Sequence, residues 1–325
     1  MFQNLAYAKR FQQHLESTTF PENPAHLYDP IRYILALAGK RIRPLLVLMG
    51  AELFDKDTVE AALPASTAIE FFHNFSLIHD DIMDRAPLRR GEPTVHHKWD
   101  DTIAILSGDA LLVKSYAELA KCEAAKVAEL LHVFNKLAIE VCEGQQLDMD
   151  FEKLERVQEE EYIQMIRLKT SVLLGGALQM GAIIGHADAE AQALIYDFGV
   201  NLGIAFQLQD DILDVYGDPE TFGKQVGGDI LSNKKTILYI KLKELISETD
   251  RPLLEDLLNS TTIADAEKIE NMKALYAKYT IKALADKRKE EFTAVAYEKL
   301  HAIKIADERK EPLFALADAL MHREK

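Results

Sequence analysis

The sequence predicts an all-α protein, a helical bundle with its functional site between helices. Strand signals are scarce. Long segments instead space their apolar residues at helical intervals. Helix-start signals stand where those segments begin. Bundles of this kind commonly build metal sites from side chains on facing helices.

The elements follow in order. Pro44 fits the first position of a helix over 44–54, where its missing N–H costs nothing. Pro64 does the same for a helix over 64–84. Asp100 or Asp101 can cap a helix over 102–121, so this acid pair has a structural explanation and is not counted as a site. Helices are further expected at about 124–149, 159–184, 189–216 and 229–247, with more toward the C-terminus.

The chain has 325 residues, 48% of them of hydrophobic type, enough for a large core. Length alone would allow two domains. No Pro/Gly/Ser-rich linker or low-complexity tract divides it, so residues 1–325 are read as a single domain. Cys122 and Cys142 give no metal spacing and read as ordinary buried thiols. The N-terminus lacks a continuous apolar signal core. The most apolar stretch, 172–185, is interrupted by Gln179 and is too short to span a bilayer. A soluble, cytoplasmic protein is expected. The formal net charge of −15 argues against nucleic acid as the main partner. It suits an anionic ligand only if cations mediate binding and the basic residues cluster.

The most informative motif is Asp-Asp-Ile-Met-Asp at 80–84, which returns as Asp-Asp-Ile-Leu-Asp at 210–214. Residues i and i+4 share a helix face, so Asp80 and Asp84 point together, as do Asp210 and Asp214. Both copies fall near expected helix C-termini, where the dipole disfavours negative charge. A solvated acidic turn would explain one such pair, but it explains the repeat poorly. Bound Mg²⁺ would relieve both the repulsion and the dipole mismatch, and two facing clusters would make a cage for hard cations and a phosphate-rich ligand.

Basic residues surround these motifs. Arg89 and Arg90, in Arg-Arg-Gly, follow the first cluster, and guanidinium matches phosphate oxygens well. Lys40 and Arg43 lie in Gly-Lys-Arg-Ile-Arg-Pro, a turn opening onto a helix N-terminus. His73 stands about two helical turns before Asp80, on roughly the same face. Lys169-Thr170 interrupts an apolar helical segment, and Gln207 precedes Asp210. Alone, the lysine could snorkel and the glutamine could be a core hydrogen-bonding residue. Lys224 and Lys234 follow the second cluster, with Gly227 and Gly228 between them suggesting a flexible loop able to close over charge.

From the Gly-Lys-Arg-Ile-Arg-Pro turn to the Asn-Lys-Lys-Thr loop, the chain resembles the trans-isoprenyl diphosphate synthases, or polyprenyl synthetases. Both aspartate motifs, the Arg-Arg-Gly turn, Lys-Thr and Phe-Gln-Leu-Gln-Asp-Asp occur in the family's order. The resemblance implies an all-α bundle around a deep central cavity, usually a homodimer. It implies that Asp80, Asp84 and Asp210 bind Mg²⁺, about three ions in all, bridging an allylic diphosphate, with Asp81, Asp211 and Asp214 completing or supporting the cage. Arg89, Lys169, Gln207, Lys224 and Lys234 would hold that diphosphate. Lys40, Arg43, His73 and Arg90 would hold isopentenyl diphosphate. Lys169, Thr170 and Gln207 would be the catalytic residues, the last two facing the developing cation.

By the same resemblance, an aromatic five residues before the first aspartate limits product length. Phe75 holds that position, about 7.5 Å along the axis, and small Ser76 follows it. Phe71, Phe72 and Tyr116 could add to this floor or be plain core. The first motif lacks the two-residue insertion of typical bacterial farnesyl synthases. The pattern looks most like a geranylgeranyl (C20) synthase, then a farnesyl (C15) synthase. A terpene cyclase usually lacks a second such cluster and needs no second diphosphate pocket. A non-catalytic partner subunit commonly degrades one cluster. A generic acidic scaffold leaves both clusters unexplained.

Overall fold

The computed structural model describes residues 6–217, 226–260 and 262–321. Nearly all of its regular structure is helical, as the apolar spacing predicts. The chain forms two compact units. The first comprises residues 1–139, 173–196 and 303–305, the second residues 140–172, 197–302 and 306–325.

In the first unit, α1 (Ala6–Ser17), α2 (Ala25–Ala36), α3 (Ile42–Phe54), α4 (Leu63–Met83), a four-residue α5 (Val95–Lys98) and α6 (Asp101–Leu119) follow in order. The long α7 (Ala124–Lys153) starts here, and most of α9 (Val172–Ile184) and the start of α10 (Ala189–Tyr216) belong here too. Residues 44–51 of α3 are all buried, as expected of a helix apolar on every side. α4 buries Phe71 and Phe72, each contributing roughly 1.5–3 kcal/mol of hydrophobic stabilisation. α6 starts at Asp100, whose carboxylate accepts from the Ile103 amide at 2.8 Å. α3 begins two residues before the expected Pro44. Pro44 is tolerated at its third position because the first amides of a helix have no internal partner. Among the described residues the only strands are a pair of two-residue strands, β1 (Leu88–Arg89) and β2 (Glu92–Pro93), antiparallel across Arg90-Gly91.

The second unit contains α8 (Glu159–Ile166), a π-helical turn at Arg167–Ser171, the rest of α10, α11 (Gly228–Leu231), α12 (Ile237–Leu245), α13 (Arg251–Asn259), α14 (Asp265–Lys278), α15 (Ile281–Ala302) and α16 (Asp307–Met321). The helix expected over 159–184 is therefore interrupted by a π turn. That expected over 229–247 is two helices. Asn233 takes a left-handed conformation (φ 54°) and is held between Lys268 Nζ, 2.7 Å from its Oδ1, and the Leu258 carbonyl, 3.0 Å from its Nδ2. A helix cannot run through that residue.

Candidate active site

α4 presents two kinds of anion-handling group in succession. Glu70, His73, Asp80 and Asp84 follow one another at multiples of helical spacing, on one side of the helix. Asp84 caps the helix and is exposed, Asp80 is half-buried, and Asp81 is buried. Arg89 turns back from the hairpin and grips Asp81 through Nε and a terminal nitrogen, both at 2.7 Å, and lies 3.6 Å from Asp80. This bidentate pair is the strong form of a guanidinium–carboxylate contact. Burial pushes the Asp81 carboxyl upward, and Arg89 works against that shift. Asp81 thus anchors Arg89, while Asp80 and Asp84 occupy the exposed end.

The hairpin aims the two arginines differently. Arg90 and Gly91 both have positive φ (55° and 83°), the geometry of a tight primed turn. Arg90 reaches across to the turn between α2 and α3, where it donates to the Leu37 carbonyl at 3.3 Å. Its guanidinium lies directly on Gly39: a Cβ there would sit 2.5 Å from an Arg90 nitrogen. Arg43 lies opposite, 3.2 Å from His73 Nε2. Burial draws the Arg43 guanidinium down to about 10, with Glu70 opposing and Arg90 adding to the shift. His73 is held well below its ordinary value by burial and by Arg43, Arg90, Arg89 and Arg41. The ring is therefore neutral, accepting from Arg43. Lys40 is exposed on the same turn. Arg43, His73 and Arg90 thus gather into one basic cluster with Lys40 beside it.

Two residues that sequence reasoning missed organise this cluster. Arg41 donates to Glu70 at 2.7 Å and to the Leu35 carbonyl. Glu70 is 1% exposed and also accepts from Asn74 Nδ2 at 3.0 Å. A carboxylate on the His73 side of α4 was readable from spacing, but its burial was not.

In the second unit, Lys169 lies in the π turn and pairs with Asp148 of α7 at 2.6 Å. Two glycines press on this turn. A Cβ on Gly144 would sit 2.2 Å from the Lys169 amide nitrogen, and one on Gly203 would sit 2.7 Å from Ser171 Cα. The turn sets the outlook of Lys169 and half-buried Thr170; π turns recur at functional sites.

Asp210 is half-buried on α10, and Asp211 points into the core. Asp211 accepts from Tyr162 Oη, from Gln207 Nε2 at 3.2 Å and from the Ile237 amide at 3.5 Å. Burial, with Asp229 nearby, pushes its carboxyl up to about 7. Asp214 accepts from the Asp229 amide at 3.0 Å, while its carbonyl accepts from Gly227 at 2.6 Å. Gly227 and Gly228 therefore stand at a pinned junction, with Gly227 in the left-handed region (φ 84°). The part of the expected loop before residue 226 lies outside the described residues. Lys234 is exposed and close enough to Asp211 to favour its ionised form. Lys224 lies outside the described residues.

Among the described residues, no three His, Cys, Asp or Glu side chains are already gathered in metal-ligating geometry. The donor set, carboxylates alone, suits a hard cation such as Mg²⁺ that also takes ligands from phosphate and water. Phe75 lies 5.7 Å from Phe72 and 4.7 Å from His79, ring centre to ring centre, and Ser76 donates to the His73 carbonyl at 2.8 Å. Phe72 and Tyr116 both pack edge-on against Phe134, whereas Phe71 meets Phe20.

An all-helical fold with doubled aspartate motifs and a separate guanidinium cluster defines a class that handles prenyl diphosphates, and comparison with known proteins agrees. The polyprenyl synthetase family model matches residues 24–278, and the chain belongs to that family. It is 41% identical over 255 residues to a short chain isoprenyl diphosphate synthase of Methanothermobacter thermautotrophicus, covering 78% of each chain. It is 38% identical over 264 residues to a geranylgeranyl diphosphate synthase of Methanosarcina mazei, covering 79% of this chain and 81% of that protein. A crystal structure of a geranylgeranyl pyrophosphate synthase superposes with a TM-score of 0.93 at 46% identity, over 98% of both chains.

Proposed function

We propose that this chain is a Mg²⁺-dependent prenyltransferase that joins isopentenyl diphosphate head to tail to an allylic diphosphate, with a trans double bond in the product. The observation that carries this reading is α4: one helix bears a carboxylate pair suited to metal and, two turns earlier, the histidine of a separate basic cluster. Two diphosphate substrates need two such centres. A terpene cyclase would leave the Arg43–His73–Arg90 cluster without a ligand. A non-catalytic partner subunit would not need two intact aspartate motifs.

In this reading Asp80, Asp84 and Asp210 ligate Mg²⁺, about three ions with the allylic diphosphate bound. Asp81, Asp211 and Asp214 support the cage from behind. Bound Mg²⁺ supplies neutralisation of the charge that grows on the diphosphate as its C–O bond breaks. Arg89, Lys169, Gln207, Lys224 and Lys234 hold that diphosphate, the four cationic side chains adding donors where negative charge increases. Gln207 has its amide nitrogen committed to Asp211, so its oxygen can serve the developing allylic cation, with the Thr170 hydroxyl. Lys40, Arg43, His73 and Arg90 fix isopentenyl diphosphate so that its double bond meets that cation. The new C–C bond forms, and the departing diphosphate takes the proton released.

Phe75 would close the floor of the tail channel, which favours a C20 product, with C15 next. The whole chain 1–325 would act as one synthase domain. The outward face of α6 supports a homodimer: Leu106 (59% exposed), Val113 (67%) and Tyr116 (37%) form an apolar stripe on one side. A cytoplasmic setting belongs to the same proposal. Both cysteines are free thiols, which suits a reducing compartment. Among the described residues no helix is long and apolar enough to cross a membrane.

The test is turnover with Mg²⁺ and C5, C10 or C15 primers, with and without isopentenyl diphosphate. Condensation that requires both substrates is expected. Turnover of a primer alone would favour a cyclase. A purified chain inactive with every pair would favour the partner-subunit reading.

A further inference from the structure

The basic cluster has a feature that substrate binding alone does not require: a buried acid at its centre. Glu70 is 1% exposed and pairs with Arg41, whose side chain is 14% exposed. One of its oxygens, Oε2, is buried and has no hydrogen-bond partner, and the same holds for Asn74 Oδ1 and Arg43 Nε. Burying a carboxylate is costly unless it is well paired. A site meant only to attract diphosphate would do better without it, because Glu70 opposes the field of Arg43 and Arg90.

The geometry supplies the reason. Arg41 is the residue before α3 and takes a left-handed conformation (φ 45°), disfavoured for a side chain of its size. Its guanidinium is bound by Glu70 and by the Leu35 carbonyl, so the strained turn is fixed from both ends. Two residues on, Arg43 meets His73, which lies three residues after Glu70 on α4. The turn is therefore clasped to α4 at two points, Arg41 to Glu70 and Arg43 to His73, and Lys40 and Arg43 flank the first.

We infer that Glu70 is a positioning residue: through Arg41 it holds the turn so that Lys40, Arg43 and Arg90 keep the spacing a diphosphate needs before the diphosphate arrives. This rests on the proposed condensation, with that cluster as the isopentenyl diphosphate site. Charge and position make opposite demands. If Glu70 were a mere counter-charge, its neutralisation would leave the cluster more positive and tighten anion binding. If it positions the turn, neutralisation loosens the clasp and weakens binding.

The experiment measures KM for each substrate, kcat and melting temperature for wild type, Glu70→Gln, Arg41→Lys and the double variant. Glu70→Gln is expected to raise KM for isopentenyl diphosphate roughly tenfold or more, the scale of one hydrogen bond to a charged group, and to leave the primer KM within about twofold. Arg41→Lys keeps the charge but loses the fork. It should give the same split at smaller size and stay readable if Glu70→Gln fails to fold. The double variant should fall short of the product of the two single effects, because both break one contact. A lowered or unchanged KM for isopentenyl diphosphate, or an equal rise for both substrates, overturns the positioning role. Wild-type enzyme that makes no condensation product overturns the proposed activity, and this inference with it.

Discussion

Gly144→Ala is the sharpest perturbation of the candidate site, because it adds one methyl group and no charge. The new Cβ would lie 2.2 Å from the Lys169 amide nitrogen, 2.6 Å from Lys169 Cα and 2.7 Å from the Leu168 carbonyl carbon. Ordinary contact begins near 3.4 Å, so the closest pair is short by about 1.2 Å. All three atoms are backbone, and no rotamer change relieves the clash. α7 or the π turn must move. Overpacking of this kind costs about 1–3 kcal/mol of stability, which exceeds the gain of about 1 kcal/mol from replacing a helical glycine by alanine. Displacing a catalytic group by about 1 Å can cost on the order of 100-fold in rate, or ~2.7 kcal/mol of barrier. The expected result is a fall in kcat near that size with a lower melting temperature, read by a condensation assay and thermal unfolding. Activity within threefold of wild type would refute the idea that the π turn must sit against Gly144 to aim Lys169 and Thr170.

Other perturbations follow from the same geometry. Phe75→Ala should lengthen the products, because the ring between Phe72 and His79 is removed; an unchanged product profile by mass spectrometry would take Phe75 out of the floor. If the proposed homodimer forms through α6, wild type should sediment as a dimer and Val113→Glu, which places a charge on that apolar face, as a monomer in analytical ultracentrifugation; a wild-type monomer would refute the dimer, and a dimeric variant would move the interface elsewhere. Burial pushes the Cys122 thiol up to about 11, so at pH 8 roughly one molecule in a thousand carries the reactive thiolate. Cys142 is exposed, contrary to the buried thiol expected from the sequence, so iodoacetamide should modify it first. Equal rates by peptide mapping would contradict the burial of Cys122.

Much of this was legible in the chain, and the misses have physical causes. The aspartate motifs were readable because helical spacing alone places Asp80 with Asp84 and Asp210 with Asp214. The bounds of α10 coincide with the expected 189–216 because no glycine or proline breaks its interior pattern decisively. The π turn at 167–171 was invisible, since its neighbours Gly144 and Gly203 lie tens of residues away in sequence. Glu70 carries no local signal that sets it apart, and only the fold brings Arg41 to it. The split in the expected 229–247 helix depends on Lys268 and the Leu258 carbonyl holding Asn233, contacts that no local pattern encodes. Asp81 and Asp211 have the same spacing signals as their neighbours. Burial separates them, turning one toward Arg89 and the other toward Tyr162.

The most direct measurement is calorimetric binding of an unreactive allylic thiolodiphosphate to wild type and to two double variants, Asp80→Ala/Asp84→Ala and Asp210→Ala/Asp214→Ala, with Mg²⁺ and with chelator. Tight binding by wild type only when Mg²⁺ is present, and its loss in each double variant, is the expected result. Undiminished binding without Mg²⁺, or with either motif removed, would contradict a diphosphate held through metal by both.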